Sequence, residues 1–218
     1  MITLFLMFLS NRIAYEGGRF LGGGKMHWDL SVSADSVIPF LPWTIIIYFG
    51  CFLWWAWIYL LMAYQKREEA DRFFGAFHLA HGICFIFFVL LPTANTRPAL
   101  TGSTIWINMM RFLYHIDAPD NLFPSIQCMI SWLCWIGTRN NRKFSAVCRY
   151  GSLLMALLVC ISTLTTRQHV LADVAGGILL SEFCYGCFGI PALKNGYALV
   201  MNRLVCVLAS PEKRCCNG

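Results

Sequence analysis

Apolar residues fall along this chain in long unbroken runs, not in the strict alternation of a half-buried strand or the one-sided stripe of a soluble helix. The runs at 43–64 (WTIIIYFGCFLWWAWIYLLMAY), 73–92 (FFGAFHLAHGICFIFFVLLP), 145–163 and 170–192 each approach the roughly 20 residues a helix needs to cross a hydrocarbon core. A fifth, 123–137 (FPSIQCMISWLCWIG), is shorter and bounded by charge on both sides. The N-terminal MITLFLMFLS is only about half a span before Asn11 and Arg12. It reads as a helix with its start missing or as an interfacial anchor. A signal peptide would need a basic region before it and a small-residue cleavage site after it. The pattern predicts an all-α, polytopic membrane helix bundle over 1–218, a single domain of about six transmembrane helices, the first short.

Composition supports the same class. The chain is 58% hydrophobic and 13% charged, against about 25% charged in ordinary soluble domains, so it cannot cover a water-facing surface. Charge sets the orientation. If the first segment counts as a span, one side holds Lys66, Arg67, Arg72, Arg139, Arg142, Lys143, Arg149, Lys194, Arg203, Lys213 and Arg214. The other holds Arg12, Arg19, Lys25, Arg97, Arg111 and Arg167. The excess predicts that the first side, with the C-terminus, is cytoplasmic, and that the loops at 93–122 and 164–168 face outward. The net charge of +6 then speaks for anionic membrane lipid, not nucleic acid, as the partner. Compact length without targeting signals suggests a bacterial plasma membrane. Most of the eleven cysteines lie in apolar runs, where cysteine behaves as a small hydrophobe. Cys215 and Cys216 fall on the predicted cytoplasmic side, where thiols stay reduced.

Polar chemistry concentrates between the last two apolar runs, in Ser162-Thr-Leu-Thr-Thr-Arg-Gln-His169-Val-Leu-Ala-Asp173. His169 and Asp173 are four apart, so on a helix they share a face and can touch. A carboxylate accepting from Nδ1 fixes the imidazole tautomer and leaves Nε2 as a base or nucleophile. Arg167 adds fixed positive charge, and a helix starting near His169 aims its first amides at anything negative there. The competing reading of the same spacing is a pair that only caps and anchors a helix at the interface. Elsewhere, His78 and His81 lie three apart in an apolar run without a carboxylate or thiolate at ligand spacing. Glu182, deep in the last run, needs a partner, and those two histidines are candidates for it.

Ser162, six residues, His169, three residues, Asp173 resembles the third signature of the type-2 phosphatidic acid phosphatase/haloperoxidase superfamily, with Thr163 where that pattern has arginine. Thr166-Arg167-Gln168-His169 is also similar to members that transfer headgroups, the sphingomyelin-synthase-like and inositol-phosphorylceramide-synthase-like branch. Pro124-Ser125-Ile126-Gln127 matches the second signature, Pro-Ser-x-His, in all but the histidine. Arg97-Pro98 fits the end of the first, with Leu90 in place of its lysine. The resemblance covers about 43–192 and implies a six-helix bundle with its site at the outer leaflet and a lipid phosphate or phospholipid as substrate. It implies that His169 attacks phosphorus while Asp173 holds its ring. Arg97 and Arg167 grip phosphate oxygens, a task suited to guanidinium, and Ser125 and Ser162 complete the cradle. No metal or other cofactor is implied, because the arginines supply the charge.

Gln127 stands where the family places the histidine that protonates the departing alkoxide. An amide donates a hydrogen bond but gives up no proton, and loss of a general acid costs roughly 10²–10⁴ in rate. The sequence leaves open a slow or inactive relative that still binds phospholipid, a substituted active enzyme, and an active enzyme in which His115 supplies the proton. Hydrolysis of a lipid phosphate ester leads. Transfer of a headgroup to a lipid hydroxyl and a non-catalytic lipid-binding role are the alternatives.

Overall fold

The computed structural model describes residues 2–22 and 24–208, so Lys213, Arg214, Cys215 and Cys216 lie outside the described residues. All regular elements among them are helices. In order they are α1 (Ile2–Arg12), a π-turn (Ile13–Gly17), α2 (Gly18–Gly22), α3 (Ser33–Val37), a 3₁₀ turn (Pro42–Thr44), α4 (Ile45–Ala63), α5 (Arg67–Leu90), α6 (Ile105–Ile116), α7 (Ile126–Arg139), α8 (Ala146–Thr165), α9 (Leu171–Cys187) and α10 (Pro191–Leu208).

The axis of the bundle is α7. Ten of its fourteen residues are buried, and it packs against α4, α5, α8 and α9. At 1.5 Å per residue it is about 21 Å long, short of the ~30 Å hydrocarbon core. Its short apolar run therefore meets protein, not lipid, over most of its surface. Among the described residues three helical stretches are long and apolar enough to cross a membrane: Pro42–Ala63, Arg67–Leu90 and Ala146–Thr165. The pair α9 and α10 qualifies together as one broken span, bent by 88°, which makes up to four. The predicted run 170–192 thus divides. Proline disfavours helix at the residue before it and suits the first position of the next, so α9 ends at Cys187 and α10 opens on Pro191.

The N-terminal helix does not stop at Arg12. It continues through the π-turn into α2, with Arg12 and Glu16 paired at 3.1 Å one turn apart. A Cβ on Gly18 would lie 2.7 Å from the Phe88 side chain, so this glycine lets α2 rest directly on α5. The partners of the polar groups within the apolar runs also differ from expectation. Glu182 accepts from Arg139 at 2.6 and 2.9 Å and from the Trp132 indole at 3.0 Å, not from a histidine. His78 bonds Ser10 at 2.7 Å and His81 bonds the carbonyl of Phe77 at 2.8 Å.

Nor is the long segment 93–122 all loop. Within it, α6 starts where the Thr104 hydroxyl accepts from the Ile107 amide at 3.3 Å, and it buries Met110 and Leu113 against Ile45 and Tyr48. The far end of α2, the starts of α4, α7 and α9, and the ends of α5 and α8 meet this segment at one end of the bundle. There Leu41 donates to the Thr165 carbonyl at 2.9 Å, and Ala94 to that of Trp28 at 3.0 Å.

Candidate active site

The turn between α8 and α9 is made by local chemistry. Arg167 takes a positive φ of 57°, and the amides of Gln168 and His169 both donate to the Thr163 carbonyl, at 3.0 and 3.1 Å. Val170 is extended, and Asp173 reaches back to accept from its amide at 3.0 Å, which starts α9. The same carboxylate oxygen lies 3.3 Å from His169 Nδ1. One aspartate thus caps the helix and holds the imidazole, and both side chains are buried. Its other oxygen, Oδ1, is buried without a partner among the described residues.

Two close approaches bring α7 to this turn. The Ser125 amide donates to the Asp173 carbonyl at 3.0 Å. A Cβ on Gly177 would lie 2.6 Å from the Ser125 carbonyl oxygen, so only glycine permits the crossing of α9 over the start of α7. The Ser125 hydroxyl accepts from the Cys128 amide at 3.3 Å as the cap of α7. Gln127, on the first turn, then meets His169 directly, with Oε1 2.9 Å from Nε2.

Behind Gln127 runs a polar chain. Its Nε2 donates to the Tyr48 hydroxyl at 2.8 Å, and Tyr48 donates to Asp117 at 3.5 Å. Tyr15 donates to the other oxygen of Asp117. An ionised carboxylate only accepts, so Asp117 sets the direction of the whole chain: Tyr48 gives to it, the Gln127 NH₂ gives to Tyr48, and the amide oxygen is left facing His169. With acceptors at both nitrogens, this arrangement favours the protonated ring of His169. Burial alone would lower its pKa, but the bond to Asp173 and the charges of Asp173 and Asp117 outweigh that, and the net direction is upward. A nucleophilic Nε2 requires loss of that proton and displacement of the Gln127 oxygen.

The arginines frame the turn. Arg97 donates to the Asp117 carbonyl and to Gln168 Oε1, stands 3.8 Å from the Asp117 carboxylate and lies over the Tyr114 ring. Its Nε is buried without a partner. Arg167 donates to the carbonyls of Asp35 at 2.8 Å and Ile38 at 2.6 Å. Asp35 in turn accepts from the Leu171 amide at 2.8 Å and from Val32 at 2.8 Å, which clamps α3 over the start of α9. Two cavities meet at His169. One, of about 210 Å³, is lined by Tyr15, Tyr48, Asp117 and Gln127 among others. The second, of about 230 Å³, is lined by Asp35, Asn95, Thr96 and Arg167 among others.

Of the residues singled out in the sequence, His169, Asp173 and Gln127 are in direct contact, with Arg97 and Arg167 bonded around the same turn. Ser125 serves the α7 cap and the α9 crossing. Ser162 is fully buried and donates to the Thr44 carbonyl at 2.7 Å, so its hydroxyl holds the start of α4 to α8 and does not join the cradle expected for it. His115 is exposed on α6 and lines neither cavity. Asp35, Tyr48, Asp117 and Gln168 are additions. Their bonds bridge 69 to 136 positions, and no local pattern marks them.

A family profile described as the PAP2 superfamily matches residues 38–185, more than half of the chain. The chain belongs to the PAP2 superfamily. Members of this superfamily are in general phosphoric ester hydrolases, and the matched span contains every residue of the turn, its arginines and Gln127. No curated protein and no solved structure matches the chain significantly.

Proposed function

We propose that this PAP2 protein hydrolyses a phosphate ester of a lipid through a phosphohistidine on His169, at the outer face of the membrane. The observation that carries the reading is the buried His169–Asp173 pair at 3.3 Å at the junction of two cavities, with Arg167 lining one of them and Arg97 bonded to the neighbouring Gln168. Nε2 attacks phosphorus, the P–O bond to the alcohol breaks, and Asp173 stabilises the ring as it becomes cationic. Arg97 and Arg167 exchange carbonyl and amide oxygens for phosphate oxygens. Water then attacks phosphorus, the P–N bond breaks, phosphate leaves with water's proton passing to solvent, and the ring is restored. The alkoxide takes its proton from solvent, because Gln127 has none to give.

The outward face is supported by the order of the helices. If α1–α2, α4, α5, α7, α8 and α9 are taken as six passes, the site lies at one end of every pass. The opposite end carries Lys66, Arg67, Arg139, Arg142 and Lys143, as a cytoplasmic end does.

A second reading, a phospholipid-binding relative without turnover, is favoured by one contact, the Gln127 oxygen on Nε2 at 2.9 Å. Purified protein given a short-chain phosphatidate separates the two. Acid-labile phosphate on His169 and free phosphate in solution support hydrolysis, whereas saturable binding without either supports the second reading. An added lipid alcohol that captures the phosphate group in place of water would mark the protein as a transferase.

A further inference from the structure

The cavity that ends on His169 does not stop at the polar groups. It shares Asn11, Phe52 and Trp55 with an adjoining apolar cavity of about 360 Å³, whose other walls include Leu4, Met7, Phe8, Ala56, Leu60 and Ile130. The helices place the opening. α1 packs on α5 and α4 mainly on α7 and α8, and the lining drawn from both α1 and α4 puts the passage between them. Trp55 stands at the junction of the two cavities. Its indole N–H donates to Ser131 at 2.9 Å, which satisfies the one polar atom of the ring and leaves the rest as an apolar wall. Continuously along this passage, the lining changes from Asp117, Gln127 and His169 to leucine, methionine and phenylalanine.

From that gradient we infer that the passage between α1 and α4 holds one hydrocarbon chain of the substrate, and that it selects phosphate esters bearing a long chain over those without one. The inference rests on the reading of His169 as the phosphate end. A groove that merely faced the bilayer would be apolar along its whole length and open to any lipid tail. This one terminates on polar and ionisable groups, so a molecule with a polar head and an apolar tail satisfies both ends at once, and the reading of His169 as the phosphate end makes that head anionic. Together the two cavities reach the roughly 300–1,000 Å³ typical of small-molecule sites. Burial of a methylene improves binding about fourfold, so chain length acts strongly on affinity until the passage is full.

Ala56 is the place to test it, because it is exposed within the passage and away from the reacting groups. Alkyl phosphonates keep the anionic head and are not cleaved. Dodecyl phosphonate with a terminal diazirine is expected to crosslink to the α1 segment Leu4–Asn11 and to Ala56 or Leu60, with the adducts removed by excess unlabelled compound. Ala56→Phe is expected to weaken dodecyl phosphonate binding roughly tenfold and to leave butyl phosphonate unchanged. Adducts confined to outward-facing residues such as Ile46, Leu53 or Phe183, or an equal effect of Ala56→Phe on both chain lengths, would overturn the inference. Adducts in the passage without phosphate release from any ester would support it while refuting the hydrolysis reading. Phosphate release with adducts elsewhere would do the reverse.

Discussion

If His169 is the nucleophile as proposed, replacing Gln127 by histidine puts a general acid beside it, and the geometry sets the size of the effect. In the present chain the Gln127 oxygen lies 2.9 Å from Nε2, and its NH₂ group is spent on Tyr48 at 2.8 Å. In the proposed reaction Gln127 therefore has no proton to give the leaving oxygen, which departs as an alkoxide. A positioned general acid contributes roughly 10²–10⁴ in rate, which is about 2.7–5.4 kcal/mol of barrier. Gln127→His is expected to raise kcat for dioctanoyl phosphatidate by that factor, with KM little changed, since the proton moves only in the transition state. Gln127→Ala is the control. It uncovers Nε2 without adding an acid, so any gain it shows measures the plug alone. Phosphate release followed across pH gives both quantities. The Gln127→His profile should also gain a descending alkaline limb as the new acid deprotonates. A histidine variant no faster than the alanine variant, without that limb, would refute the reasoning.

Asp173→Asn should cut kcat/KM by roughly 10²–10⁴ and move the ascending limb of its pH profile to lower pH, because Asp173 is what holds the His169 pKa up. The sign for stability follows. A raised folded pKa gives stabilisation that is complete below about pH 6.5 and fades as pH rises through the folded value. Thermal unfolding in detergent should therefore show the largest loss for Asp173→Asn on the acid side. Asp35→Asn turns one buried acceptor into a donor facing an amide, Leu171 or Val32, and should cost about 1–3 kcal/mol, visible as a lower Tm and slower phosphorylation of His169. Gly177→Ala places a methyl group 2.6 Å from the Ser125 carbonyl, so α9 must move off α7. A loss of about 1–3 kcal/mol is expected, with turnover falling more than short-chain phosphonate binding.

The resemblance to phosphatases was legible because it rests on local order. His169 and Asp173 are one helical turn apart, and a turn brings such a pair together whatever surrounds it. Their contact at 3.3 Å follows from spacing plus the helix start. The apolar runs that became α4, α5 and α8 were legible for a similar reason, since run length and hydropathy alone decide whether a helix can span hydrocarbon. Their information is one-dimensional, however, and does not say what each run packs against. The run at 123–137 reads as a short span, yet α7 is the buried axis, because its neighbours and not its own hydropathy determine which faces lipid meets.

The same limit separates the two halves of the site. Sequence by itself marked His169, Asp173, Arg97 and Arg167 as candidates and exposed the anomaly at Gln127. Only the tertiary structure decided what that anomaly does. Tyr48 meets Gln127 across 79 positions and Asp117 across 69, and the direction of their hydrogen bonds depends on a carboxylate that can only accept. Such a chain has no period or spacing to betray it. It exists because the packing of α4, α6, α7 and α9 places four polar groups within bonding distance at one end of the bundle, where each must find a partner.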